Sequence, residues 1–282
     1  MSTLPLKIKT QIPNYIHEIL HKDIYSFNMK KNTLCNLIFE NLYNDHDKWS
    51  FNREFSRVVQ FRLHKSNNEL FKQIWNTDVV NTHNRSEYFR NLFATYVNFP
   101  AYIREKKLYR SDVQCIERAI KNKKNIIIDY NDEKRKLEPY LIINNTEEEF
   151  NYLFGYCYKH GEYRNYRLSN VSCLSVVDEN WEHEDREYLN KIKNNFDPFL
   201  SHEKEIKVKF TDEGLDLFEN VIYHNRPKIL EKKGNIYTLE CSYKKAEAYF
   251  GSFFDKVEIL SPSEIRDKFK KNLKKTLKKY KK

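Results

Sequence analysis

Within the first hundred residues a strand–helix–helix pattern is written twice. Lys7-Ile8-Lys9-Thr10-Gln11-Ile12 alternates polar with apolar or small residues as far as Pro13, which predicts a short strand with one buried face. From Asn14, read as an N-cap, Tyr15, Ile16, Ile19, Leu20, Ile24 and Phe27 recur at helical spacing. After Asn28-Met29-Lys30-Lys31-Asn32, with Asn32 or Thr33 as the cap, Leu34, Leu37, Ile38, Leu42 and Tyr43 mark a second helix. The order then repeats. Arg57 to His64 places Val59, Phe61 and Leu63 on one face and Gln60, Arg62 and His64 on the other. Leu70, Phe71, Ile74 and Trp75 give a helix, and Ser86, read as a cap, opens another that carries Phe89, Leu92, Phe93 and Tyr96 and stops at Pro100. Lys48 to Arg57 would connect the copies. A repeated unit constrains the fold more than either copy does alone.

The chain has 282 residues, a net charge of +10 and 15% aromatic residues, a balance that favours polyanionic partners such as nucleic acid. Its longest apolar runs are a few residues, too short to span a bilayer, and Met1 to Lys7 lacks the apolar core of a leader. The 5 cysteines, an odd number, are scattered without a Cys-x-x-Cys pair; they are read as buried thiols in a reducing cytoplasm and not as zinc ligands. With 5 glycines the chain has no Gly-rich phosphate loop, and its 9 histidines form no His-Glu-x-x-His pair. Acidic pairs such as Glu184-Asp185 sit in solvated charge runs. The expectation is therefore a non-enzymatic protein with no catalytic residue, no metal and no cofactor.

From Ile126 to Val177 the chain breaks into short runs rich in β-branched and aromatic residues, the pattern of a small barrel's strands. Arg164 and Arg167 lie there among tyrosines; guanidinium forks bind phosphate, and aromatic faces stack on bases. Strand alternation puts Arg164 with Tyr166 and Leu168 on one face and Arg167 on the other, and a bulge near Tyr166 would bring the two arginines together. Arg167 has an alternative partner in Glu147-Glu148-Glu149. Residues 101–123 read as a helical linker into this region, and 181–204 as a second linker helix. Beyond it, strands and helices alternate as strand, helix, strand, strand, helix, strand, a split βαβ order, before a basic terminal helix from Phe269 that also presents an apolar stripe.

Two resemblances sharpen this outline. Residues 1–100, with Arg85-Ser86-Glu87-Tyr88-Phe89-Arg90, resemble a tandem of the ribbon-helix-helix DNA-binding family. The resemblance implies that Lys7, Lys9, Gln11, Gln60, Arg62 and His64 face the major groove while amides near Thr33 and Glu87 hold phosphates. Residues 111 to 177, with Glu138-Pro139-Tyr140, Tyr152-Leu153-Phe154-Gly155-Tyr156-Cys157 and Arg164-Asn165-Tyr166-Arg167-Leu168, resemble the WYL domain, an Sm-like β-barrel. The family's tryptophan falls on Asn151, and a further arginine falls on Asn170. This resemblance implies a nucleotide or nucleic-acid ligand held by Tyr152, Arg164, Arg167 and Tyr166. The closing Val257-Glu258-Ile259-Leu260-Ser261-Pro262 is similar to the extension that follows WYL domains, which implies dimerisation. The expected class is α+β: ribbon-helix-helix repeats (1–100), a helical linker (101–123), a WYL barrel (124–180), a linker helix (181–204) and a ferredoxin-like extension with the basic helix (205–282). The leading expectation is a cytoplasmic, homodimeric regulator that binds duplex DNA. Its alternative is a single-stranded-RNA-binding accessory protein of an RNA-guided, RNA-targeting CRISPR effector; neither reading involves a membrane.

Overall fold

The alternation at both ends of the first repeat produces a two-stranded antiparallel ribbon, β1 (Lys7–Ile12) with β2 (Arg57–Arg62), in a computed structural model that describes residues 5–45, 47–51, 55–75, 77, 79–80, 82, 84–144 and 149–280. Each strand is followed by two helices: α1 (Asn14–Ser26) and α2 (Lys31–Leu42), then α3 (Lys65–Ile74) and α4 (Arg85–Asn98). The buried strand face (Ile8, Ile12, Val59, Phe61) meets Phe39, Phe71, Phe89 and Phe93, so the ribbon and all four helices share one core. Two sets of side chains pin the ribbon. Thr10 donates its hydroxyl to the Ser86 carbonyl at 2.7 Å, and Asn36 Oδ1 accepts the His64 amide at 2.8 Å. The capping residues differ from those the sequence predicts. Pro13 and Lys30 occupy the N-cap positions of α1 and α2, and Asn84 caps α4 by accepting the Ser86 and Glu87 amides. Ser86 sits inside the first turn because Asn84, two residues earlier, already reaches the orphan amides. Asn81 and His83 of the preceding loop, and residues 52–54 of the connector, lie outside the described residues.

Instead of one linker, residues 101–123 form two helices, α5 (Ala101–Leu108) and α6 (Arg110–Lys121), and each is built into a core. Leu108 of α5 belongs to the core of the ribbon and its helices. On α6, Val113, Ile116 and Ala119 pack under a five-stranded antiparallel sheet of β3 (Lys124–Tyr130), β4 (Lys134–Ile143), β5 (Tyr152–Cys157), β6 (Glu162–Arg167) and β7 (Val171–Asn180). The strand order is β6-β5-β4-β3-β7. Among the described residues no ladder joins β6 to β7, so the sheet is open where a closed barrel is expected. A single 3-10 turn, Leu168–Asn170, carries the chain from one edge to the other. Cys115 of α6 and Cys173 of β7, 58 residues apart, are joined by a disulfide, so two of the five cysteines are not the free thiols expected. They meet because α6 lies beside β7, where Asp112 also accepts the Cys173 amide at 2.7 Å. Cys35, Cys157 and Cys241 are buried thiols.

These elements form one unit, residues 1–183; residues 184–282 form a second. The second unit opens with α7 (Arg186–Asn194) and continues through β8 (Glu205–Phe210), α8 (Asp212–Asp216), β9 (Lys228–Lys233), β10 (Ile236–Glu240), α9 (Tyr243–Phe250), β11 (Val257–Ser261) and α10 (Ser263–Tyr280). All strand pairs are antiparallel in the order β11-β8-β10-β9, the interleaving of a doubled split βαβ unit. Its core is aromatic: Phe210, Phe218, Tyr249, Phe250 and Phe253 pack together. Among the described residues no helix is long and apolar enough to cross a membrane.

Candidate nucleic-acid interface

One face of the ribbon is buried, so register decides what the other face offers. Lys7 pairs with Arg62, Lys9 with Gln60, and Gln11 with Val58; all six are exposed, as is His64 just beyond β2. Lys7 opposite Arg62 sets two cations side by side on one strand pair, an arrangement that costs stability. Among the described residues, none of Lys7, Lys9 and Arg62 has a carboxylate within ion-pair distance. His64 shares a 3.2 Å contact with Asn32, whose side-chain Oδ1 accepts the Arg62 amide at 2.8 Å. The face is therefore cationic, amide-rich and free of acids, with Val58 (48% exposed) as its apolar member. The start of α4 has less to offer. Asn84 takes the Ser86 amide at 2.9 Å and the Glu87 amide at 3.4 Å, so these amides are not open to phosphate as the sequence reading has it. Arg90 is also committed, donating to the Gln11 carbonyl at 2.8 Å and lying 3.9 Å over the Phe55 ring.

The four candidates on the sheet do not converge. The β5–β6 register runs unbroken from Tyr152↔Arg167 to Cys157↔Glu162, so no bulge lies near Tyr166 and the two arginines stay on opposite faces. Tyr166 is 1% exposed, in the core with Leu153 and Leu168 and 4.9 Å from Tyr130; burial pushes its hydroxyl pKa up. Arg164 sits at a margin of that same face, with Nε and Nη2 on the Glu162 carboxylate at 2.8 and 2.5 Å. Arg167, directly opposite half-buried Tyr152, donates to the Ser26 carbonyl at the end of α1, and its guanidinium lies 3.6 Å over Phe150. Of the acidic run offered as its alternative partner, Glu147 and Glu148 lie outside the described residues, and Glu149 pairs with Lys22 at 2.7 Å. Arg167 thus joins the sheet to the ribbon module.

Three polar constructions escape a reading of the sequence. Arg104 of α5 grips Asp23 of α1 through two nitrogens, at 2.7 and 2.8 Å, with Tyr96 donating to the same carboxylate at 2.7 Å; both charged side chains are nearly inaccessible. Glu105 accepts the Asn151 amide (2.6 Å), the Asn151 side chain (2.8 Å) and the Ser169 amide (3.1 Å). Burial raises its pKa, and those donors offset part of the rise. Asn151, where the WYL tryptophan would fall, is wholly buried and holds the sheet to α5. Glu138 is the third centre. It accepts from Tyr140 (2.6 Å), Tyr158 (2.7 Å) and the His183 amide (3.0 Å), and its Oε1 lies 2.7 Å from His183 Nδ1. Burial alone would raise its pKa, but the bonds from His183 and the tyrosines win and hold it at about 2. The His183 ring stacks on Tyr156 with centroids 3.8 Å apart, completing an aromatic outer face with Tyr163 and Trp181. The only signal that could have flagged Glu138 is the Glu-Pro-Tyr run itself. Among the described residues, no three of His, Cys, Asp and Glu come close enough to hold a metal.

Residues 112–176, a stretch that runs from α6 into β7, match the family model described as the WYL domain. Over nearly its whole length it is also similar to a solved structure described as "Crystal structure of a CRISPR Cas-related protein": TM-score 0.70, 14% identity, covering 99% of this chain and 95% of that one. At that identity the likeness is one of fold. It also aligns with proteasome accessory factor B/C (PafBC) of Arthrobacter aurescens at 13% identity, covering 100% of this chain and 51% of the other, but the TM-score of 0.30 is too low to bear on its arrangement. No curated protein matches this chain.

Proposed function

We propose that this protein is a non-enzymatic nucleic-acid-binding regulator in which the ribbon is the contact surface, a ribbon-helix-helix head supplied by one chain. The observation that carries the reading is the outward ribbon face: Lys7, Lys9, Gln11, Gln60, Arg62 and His64 are all exposed, with Lys7 forced against Arg62 and no acid beside them. Such a face is unfavourable alone and complementary to phosphates and base edges: Arg and Lys suit guanine, and Gln suits adenine. The WYL sheet, an open version of the Sm-like barrel, would then carry the regulatory ligand. A second reading, supported by the full-length fold likeness to the CRISPR Cas-related structure, makes the protein a cytoplasmic, homodimeric accessory that binds single-stranded RNA and acts on a CRISPR effector.

Binding of the full chain to duplex DNA and to single-stranded RNA, each at two salt concentrations, separates the readings. In Lys9→Ala/Arg62→Ala, duplex affinity should fall and the salt slope should shrink by about 1 to 2. Unchanged duplex binding in that variant sinks the DNA reading. Single-stranded RNA binding that survives Arg164→Ala removes the sheet from the second reading.

A further inference from the structure

We propose that a groove in the C-terminal unit docks a protein segment carrying an apolar stripe flanked by acidic residues. This site is separate from the ribbon and stands whether or not the ribbon binds nucleic acid.

The groove, of about 820 Å³, runs between α10 and the sheet edge and is lined chiefly by Phe254, Val257, Ile259, Phe269, Leu273 and Leu277. Strand β11, which contributes two of these, is the outermost strand of its sheet. The apolar stripe of α10 begins as core: Ile265 is buried and Phe269 packs against the same cluster. It then continues exposed among the described residues. Leu273 is 56% exposed, Leu277 55%, Tyr280 82%, and Phe254 across the groove 75%. Single exposed apolar residues are ordinary, but a contiguous row in a concavity marks an interaction surface.

Charge identifies the occupant. Near the start of α10, Arg266 pairs with Glu258 and Lys268 with Glu264. Farther along, Lys270, Lys271, Lys274, Lys275, Lys278 and Lys279 have no carboxylate within ion-pair distance among the described residues. Two runs of lysines spaced four apart repel each other along the helix, which disfavours the helix on its own. Acidic residues on a partner would reverse that effect, while its apolar side chains filled the groove. A second copy of this chain fits poorly, since a two-fold contact sets the same lysines against themselves. Nucleic acid would satisfy the lysines and leave Leu273, Leu277 and Phe254 uncovered. An anionic lipid surface is flat and cannot enter the concavity between α10 and β11.

The full chain can be tested by selection from a displayed library of random peptides, followed by fluorescence anisotropy on the enriched sequences. Enrichment of peptides with apolar residues three and four apart among Asp and Glu is expected. Leu273→Asp/Leu277→Asp should weaken their binding by about tenfold or more, equivalent to roughly 1.4 kcal/mol. The substituted side chains are exposed, so the variant should unfold at the wild-type denaturant concentration. Lys270→Glu/Lys274→Glu, which leaves the apolar lining untouched, should weaken binding as well and remove most of its salt dependence; it decides the matter if the first variant does not fold. Three results overturn the proposal: enriched peptides without acidic residues or indifferent to both variants, no enrichment while the wild type binds phosphatidylcholine–phosphatidylserine vesicles through Leu273 and Leu277, and self-association in sedimentation that Leu273→Asp/Leu277→Asp abolishes.

Discussion

The seam between the ribbon module and the WYL sheet uses the same residue types as the ribbon's outer face, and uses them in the opposite way. In the seam, Asp23, Arg104, Glu105 and Asn151 are buried, and Asp23, Arg104 and Glu105 each have two or more hydrogen bonds at 2.6–3.1 Å. On the ribbon, Lys7, Lys9, Gln60 and Arg62 are exposed, and two of the cations oppose each other. In the first arrangement Asp23, Arg104 and Glu105 find their partners within the chain; in the second, Lys7, Lys9 and Arg62 have no carboxylate within ion-pair distance among the described residues. A charged residue here is informative about function to the extent that the fold leaves it unpaired, and its position in a basic sequence says little on its own.

The largest effect that would break this contrast lies in the seam. Asp23→Ala strands the Arg104 guanidinium in the core and should cost about 3–5 kcal/mol in chemical denaturation; a loss below 1 kcal/mol would mean that the seam is as solvated as the ribbon. Next comes Asn151→Ala, which removes the side-chain donor to Glu105 and to the Tyr102 carbonyl and should cost about 1–3 kcal/mol, read from the same curves. An intermediate effect concerns Glu138, whose folded pKa of about 2 lies below the ordinary 4.5. Because that pKa is depressed, its contribution to stability is complete above about 4.5 and is lost as pH falls toward about 2. Tyr140→Phe removes one of the donors that lower it, so acid unfolding monitored by circular dichroism should move to higher pH. The smallest effect closes the comparison. Lys9→Ala/Arg62→Ala should change stability by less than about 0.5 kcal/mol, or raise it slightly by relieving the Lys7–Arg62 repulsion. A clear destabilisation would show that these side chains serve the fold.

What could be read from the sequence follows from the range of the interactions. Period-two alternation at Lys7–Ile12 and Arg57–His64, the helical stripes, and the split βαβ order of the C-terminal unit are local patterns, and each matches an element of the structure. The opposite faces of Arg164 and Arg167 were also legible, since alternation along β6 fixes them. The seam was not. Arg104 and Asp23 are 81 residues apart, Glu105 and Asn151 46, and a charged pair at such separation looks like solvated surface until packing removes the water. The same holds for Cys115 and Cys173, which only the docking of α6 beside β7 brings together. Asn84 took the cap from Ser86 through a shift of two residues, finer than a propensity argument resolves.

The pairing of β1 with β2 inside one polypeptide has a consequence for dosage. A ribbon assembled from two chains comes apart on dilution, because its formation depends on protomer concentration. Here closure is unimolecular, so the surface formed by Lys7, Lys9, Gln60 and Arg62 exists in full at a single copy per cell. The two strands also need not be identical. Lys7-Ile8-Lys9 on one side and Gln60-Phe61-Arg62 on the other present different chemistry about a pseudo-two-fold axis. A duplex bound there, as proposed above, would have no reason to be palindromic.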